Sequence, residues 1–170
     1  AQHANGAVPT TAPEYVVFEG LGMDAFAESP EWGCTFVVLP FMYYETYGDD
    51  SLIRKYYNGM RRYIDYMTTR ANDGIVSFGL GDWYDYGDFR AGFSRNTPVP
   101  LVATAHYYMV VRYLVEAARM LDNRYDVAYY THLGEEINKA FHREFYHKDT
   151  RQYGTGSQCS NALPLFLGMV

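Results

Sequence analysis

Two cysteines in 170 residues, Cys34 and Cys159, stand far apart and outside any CxxC or Cys/His spacing. That leaves neither a disulfide framework nor a zinc site to hold a fold together, and both are expected to be buried thiols. Lysine and arginine number 14 against 20 aspartates and glutamates, a formal net charge of -6. With no basic face to recruit a phosphate backbone or an anionic bilayer, neither nucleic acid nor membrane is an expected partner. No apolar run reaches the roughly 18 residues that a membrane span requires, and Ala1 to Thr11 lacks the charged and hydrophobic regions of a signal peptide. GxSxG, P-loop and GxGxxG motifs are missing, which removes sequence support for acyl transfer and for nucleotide or dinucleotide chemistry. The alternating D-x-D-x-D-G pattern of a calcium loop is missing as well, and the five histidines are scattered. No metal and no cofactor are expected.

What the chain has in excess is aromatic rings: 18 Tyr, 10 Phe and 2 Trp, 18% of all residues. Tyrosine offers a flat apolar body and a hydroxyl that can stay hydrated, which suits polyhydroxylated ligands, although most such rings serve helix interfaces. The run Gly79-Leu80-Gly81-Asp82-Trp83-Tyr84-Asp85-Tyr86-Gly87 sets acids and large rings on a glycine-kinked loop. A pyranose presents an apolar ring face that an indole can cover and a rim of hydroxyls that carboxylates can grip. The same loop could instead plug a core with Trp83 and cap a neighbouring helix with Asp82.

Hydrophobic periodicity predicts five helices. Glu31 to Tyr47 has almost no polar side, as in a helix surrounded by protein; Ser29-Pro30 reads as a hydroxyl N-cap with proline at the first helical position, and Pro40 would bend it. Leu52 to Met67 is apolar on one side only, with Arg54, Lys55, Arg61 and Arg62 between. Pro98 to Leu121 is again apolar nearly all round and again entered through a hydroxyl and a proline, Thr97-Pro98. Tyr125 to Tyr146 has a single apolar stripe. Ser157 to Val170 begins a third apolar helix, with no stop signal recognised before the last residue.

Inner, outer, inner, outer, inner is the order of an α/α toroid. The expected fold is therefore all-α, a partial (α/α)6 toroid of about five helices, not closed within this chain, with residues 1–28 leading in as a loop. Connections inside each hairpin are two or three residues, whereas those between hairpins are long and rich in Gly, Asp and aromatics, as functional loops are. Glu28 to Trp32, Gly79 to Asp88, Arg95 to Thr97 and Gly154 to Gln158 should gather at one end. Glycoside hydrolysis needs one carboxylic acid to protonate the leaving oxygen and one carboxylate to activate water or attack the anomeric carbon. The available acids are Asp24, Glu28, Glu31, Asp82, Asp85 and Asp88. Glu31 lies in the first turn of its helix, where exposed N–H groups favour its charge, a setting better suited to a binder than to a proton donor. His106 is the one histidine near the start of an inner helix.

These residues resemble the six-hairpin catalytic domain of the inverting α-L-rhamnosidases, glycoside hydrolase family 78. The likeness lies in Ala12-Pro13-Glu14-Tyr15, in Ser29-Pro30-Glu31-Trp32-Gly33 running into Leu39-Pro40, in Tyr47-Gly48-Asp49 and in Gly79 to Trp83. It continues through Thr97-Pro98 with Thr104-Ala105-His106-Tyr107-Tyr108, and Gln158 with Asn161-Ala162-Leu163. The order of these pieces and the distance from Trp32 to Trp83 make the set specific. Cys34 departs from it, since many relatives place an acid two positions after that tryptophan.

The resemblance implies a terminal α-L-rhamnosyl unit as substrate, with Trp32 and Trp83 as hydrophobic walls around the sugar's methyl-bearing face and Asp82 as a hydroxyl ligand, joined by Glu31 and His106. It also implies that the family's general acid, in an Asp-Cys-Pro motif, and its general base fall outside these 170 residues. The partner of this segment is then the remainder of the parent catalytic domain, and the segment alone should be inactive. Two other readings of the residues remain open: another toroid glycosidase such as an unsaturated uronyl hydrolase, and a non-catalytic helical module that binds glycans.

Overall fold

The computed structural model describes residues 2–18, 20 and 22–170. Its helices are α1 (Pro30–Gly33), α2 (Thr35–Tyr47), α3 (Ser51–Arg70), α4 (Val99–Met120), α5 (Arg124–Phe145) and α6 (Gln158–Phe166). Two short antiparallel hairpins lie in the long connections, β1 (Asp85–Gly87) with β2 (Phe89–Gly92) and β3 (Tyr146–His147) with β4 (Gln152–Tyr153). Helix α4 is the hub, packing on α1, α2, α3, α5 and α6. One side of it, through Tyr107, Val110, Val111 and Leu114, shares a core with Val37 and Phe41 of α2 and with Ile53, Met60 and Ile64 of α3. Its first turns, through Leu101, Val102 and Ala105, share a second core with Phe141, Phe145, Tyr153 and Leu167. The outer helices are tied by a buried carboxylate: Asp126 of α5 accepts from the Tyr57 hydroxyl of α3 at 2.6 Å and from the Asn123 amide at 2.9 Å. Loss of water and this bond both push the Tyr57 phenol upward in pKa.

Inner and outer helices thus alternate as the periodicity predicts, with four corrections. The first inner helix is broken at Cys34 into α1 and α2, where Gly33 lies so close to Tyr63 that a Cβ would come within 2.6 Å of its hydroxyl oxygen. Within this segment helix α2 is covered on one side only: Val37, Pro40 and Phe41 are buried, while Leu39 and Met42 are exposed. The last helix does not run to Val170. It closes at Phe166 with Gly168 in the left-handed region (φ +63°), the Gly168 N–H reaching the Leu165 carbonyl and the Met169 N–H that of Pro164, the paired bonds of a glycine C-cap. Lastly, Ser29 and Thr97 do not cap their own helices; each hydroxyl is used across the fold, as described below. Of the two thiols, Cys34 is buried and Cys159 only half-buried.

The described residues ahead of α1 are anchored in part on the outer helix α3. The Gln2 amide donates to the Gly59 carbonyl at 2.8 Å and accepts from Arg62 at 2.7 Å. Further along, the Thr10 hydroxyl donates to the Phe26 carbonyl, which ties down the ring discussed next.

Candidate functional site

The four segments at the starts of the inner helices are linked by side-chain bridges. Glu31 of α1 accepts the Gly81 N–H on Oε1 at 3.0 Å and the Leu80 N–H on Oε2 at 3.3 Å. The Ser29 hydroxyl donates to the same carboxylate and accepts from Leu80 N–H at 3.2 Å. From the loop, Asp82 Oδ2 accepts the Thr97 hydroxyl at 3.3 Å; Thr97 shares a 2.7 Å bond with Ser157, and the Thr155 hydroxyl donates to the Asn96 carbonyl. Ser29 and Thr97 are fully buried, so each of these bonds forms where water does not compete. The sequence pattern placed both hydroxyls correctly at helix starts, but Leu80 lies 51 residues from Ser29 and Ser157 lies 60 from Thr97, beyond the reach of a local motif.

This scaffold brings the two indoles to one aromatic cluster. The Phe26 ring lies 6.0 Å from Trp32 and 4.9 Å, edge to face, from Trp83. Phe93 closes the cluster at 5.5 Å from Trp83 and 6.0 Å from Phe26. Trp32 is 37% exposed and Trp83 half-buried, so neither indole is sealed inside the core. Phe26 and Phe93 were missed in the sequence because each sits in a segment without periodicity, and a lone Phe there carries no signal.

The remaining predicted residues divide. Asp82 is half-buried beside the Cys159 thiol, which burial and then the Asp82 carboxylate push up to about 11; at neutral pH the thiol is uncharged. Glu31 is not free to touch a ligand with both oxygens, since the loop backbone and Ser29 occupy them; it positions the Asp82–Trp83 segment. His106 is not brought to the cluster by any hydrogen bond: its Nδ1 pairs with the Val102 carbonyl of its own helix at 2.8 Å. Glu28 is taken by the Tyr66 hydroxyl and by Arg70 at 3.5 Å, and Asp24 accepts the Gly20 N–H.

Asp85 is a structural acid. Its Oδ2 accepts the N–H groups of Asn96 (2.6 Å) and Arg95 (2.7 Å), and its Oδ1 the Asn96 amide (2.6 Å) and the Tyr86 N–H (2.9 Å). The backbone donors of Asn96 and Arg95 hold its carboxyl below the usual carboxylate range. A depressed folded value means that the stabilisation is complete above the unfolded value near about pH 4 and is lost as pH falls through the folded one. The thermal stability gap between the full-length protein and its Asp85→Asn variant is therefore expected to be constant from neutral pH to about pH 5 and to narrow below about pH 4. A gap that did not change down to about pH 3 would contradict this role.

Comparison with known proteins follows the same architecture. Residues 1–170 match the family described as the bacterial alpha-L-rhamnosidase 6 hairpin glycosidase domain. An alpha-L-rhamnosidase of Formosa agariphila is 28% identical over 149 residues, which cover 82% of this chain and 15% of that protein. The structure of an alpha-L-rhamnosidase from Dictyoglumus thermophilum superposes with a TM-score of 0.85 at 27% identity, covering 100% of this chain and 18% of that one. A Streptomyces avermitilis alpha-L-rhamnosidase, solved in complex with L-rhamnose, superposes at 0.84 with 25% identity over 100% of this chain and 15% of that one. The chain thus spans less than a fifth of the length of these relatives. Since the match runs through every helix and both long loops that build the site, this chain belongs to the bacterial alpha-L-rhamnosidase six-hairpin glycosidase family.

Proposed function

We propose that residues 1–170 are part of the (α/α)6-toroid catalytic domain of an α-L-rhamnosidase that hydrolyses terminal α-L-rhamnosyl units with inversion. In this reading the segment supplies sugar-binding side chains, and the acid and base come from elsewhere in the parent domain. One observation carries it: two indoles flank a common ring, Phe26, at the end of the toroid where Glu31 and Thr97 fix the loop bearing Asp82. L-Rhamnose is a 6-deoxy sugar, so its methyl group enlarges the apolar face that indoles cover, while its hydroxyls suit Asp82.

The absence of the catalytic pair from this segment is supported by how its acids are used. Among the described residues, Glu28, Glu31 and Asp85 each accept two or more internal hydrogen bonds, which commits these three carboxylates to the scaffold. An inverting enzyme needs two at about 6.5–9.5 Å with room for water between. The remainder of the domain has surfaces to pack on as well: Leu39 and Met42 of α2 and Leu165 and Phe166 of α6 are large, exposed apolar residues at the two edges of the incomplete ring, the kind of patch that marks an interface.

The test is a panel of aryl glycosides, including α-L-rhamnosides and unsaturated uronides, given to the full-length protein, with the anomer of the first product followed by proton NMR. Cleavage of the rhamnoside with β-L-rhamnose formed first is expected. Cleavage of another sugar alone would reject the substrate, and initial α-L-rhamnose would reject inversion.

A further inference from the structure

Asp82 is held through both its main chain and its side chain. The neighbouring Gly81 N–H is taken by Glu31 at 3.0 Å, and Asp82 Oδ2 accepts the hydroxyl of the buried Thr97 at 3.3 Å. Thr97 Oγ1 in turn lies 2.7 Å from the hydroxyl of Ser157, the N-cap of α6. We propose that Thr97 and Ser157 are positioning residues, a relay of two hydroxyls from α6 that sets the Asp82 side chain for a sugar hydroxyl. The proposal rests on the rhamnosidase reading given above, in which Asp82 is a sugar ligand.

The direction of the relay follows from counting protons. Each hydroxyl has one proton to donate and two lone pairs with which to accept, and in the Thr97–Ser157 bond either oxygen can be the donor. Ser157 also lies 2.8 Å from the Ser160 hydroxyl, a second acceptor within its reach. Were Thr97 to donate to Ser157, and Ser157 to Ser160, Asp82 would lose its donor. Were Thr97 to donate to Asp82 while Ser157 donated to Ser160, two oxygens would face each other at 2.7 Å with no proton between them. The remaining arrangement, Ser157 to Thr97 to Asp82, makes the same number of bonds and directs one at a carboxylate, where a hydrogen bond is about twice as strong as between neutral groups. Ser157 keeps its capping role in it, accepting the Ser160 N–H at 3.1 Å. That N–H draws on the serine oxygen and makes its hydroxyl the better donor, and each bond of the chain reinforces the next. A carboxylate fixed in this way meets a sugar with its rotamer already chosen, so less freedom is lost on binding.

The experiment measures kcat and KM for p-nitrophenyl α-L-rhamnoside, and inhibition by free L-rhamnose, in the full-length protein carrying Thr97→Val, Thr97→Ser or Ser157→Gly, each with Asp82 intact and with Asp82→Ala. Valine keeps the shape of threonine without its donor, serine keeps the donor, and glycine is a tolerated N-cap. Thr97→Val is expected to raise KM and the inhibition constant about five- to tenfold with kcat within about twofold, Ser157→Gly to raise both about threefold, and Thr97→Ser to restore most of the loss. With Asp82→Ala in place, neither Thr97→Val nor Ser157→Gly should move KM by more than about twofold, because the relay has no carboxylate left to hold. Equal effects in the two backgrounds, or a KM that Thr97→Val leaves unchanged, overturn the relay; should Thr97→Val not fold, Ser157→Gly decides by the same comparison. Rhamnoside cleavage with a KM unchanged by Asp82→Ala overturns this inference and spares the activity, whereas an unaltered protein that cleaves no rhamnoside overturns both.

Discussion

Gly79→Ala is expected to destabilise the full-length protein by about 4 kcal/mol, the sum of a strained backbone and a steric overlap. Gly79 has φ +122°, a region that residues with a Cβ do not share. A Cβ there would stand 2.6 Å from Glu31 Oε2 and 2.7 Å from Pro30 Cδ. The carboxylate cannot retreat without giving up the N–H groups of Leu80 and Gly81, and the proline ring cannot rotate away. Glu31→Gln probes the carboxylate clamp alone, with Gly79 left in place, because an amide keeps one acceptor for Gly81 and turns its own NH2 toward the Leu80 donor. Its cost should be smaller, about 1–2 kcal/mol. Urea unfolding checks both; an alanine variant with an unshifted midpoint and unchanged slope would show that the carboxylate clamp does not hold this loop.

Trp83→Ala is expected to lower kcat/KM for an aryl α-L-rhamnoside about 100-fold, since losing a stacked indole forfeits about 1.5–3 kcal/mol and each 1.4 kcal/mol is a factor of ten. Trp83 packs between Phe26 and Phe93, so truncation also loosens its neighbours. Two readouts distinguish lost packing from lost sugar contact: inhibition by free L-rhamnose should weaken in parallel, and Trp83→Phe should restore part of both. Turnover within twofold of the unaltered protein, with unchanged inhibition, would remove Trp83 from the sugar site.

The candidate site was legible in the sequence where chemistry is local. Acids and rings on a glycine-rich loop singled out the Gly79–Asp88 segment, and the resemblance to the rhamnosidase family paired it with a second indole, Trp32. The functions of individual polar groups were not legible. Ser29 and Thr97 have the local pattern of caps, and only the close approach of loop and helix starts turns them into bridges. His106 has the position of a ligand, and one of its two ring nitrogens, Nδ1, pairs one turn back with the Val102 carbonyl. Asp85 looked like a candidate for chemistry, and the folding of Arg95 and Asn96 over it makes it an anchor.

The amino-acid sequence by itself determined which segments are helical and which of them are inner, because the period and breadth of the apolar stripe decide how much of a helix must leave water. It also determined the family, through residues spread along the whole chain. Tertiary structure alone decided which carboxylates are consumed by backbone donors, and that Phe26 stands between the two tryptophans. Those outcomes depend on contacts between residues far apart in the chain, such as Glu31 with the Gly81 N–H and Phe26 with Trp83. A hydrogen bond or ring contact is set by distances of a few ångströms in space, which spacing along the chain does not encode.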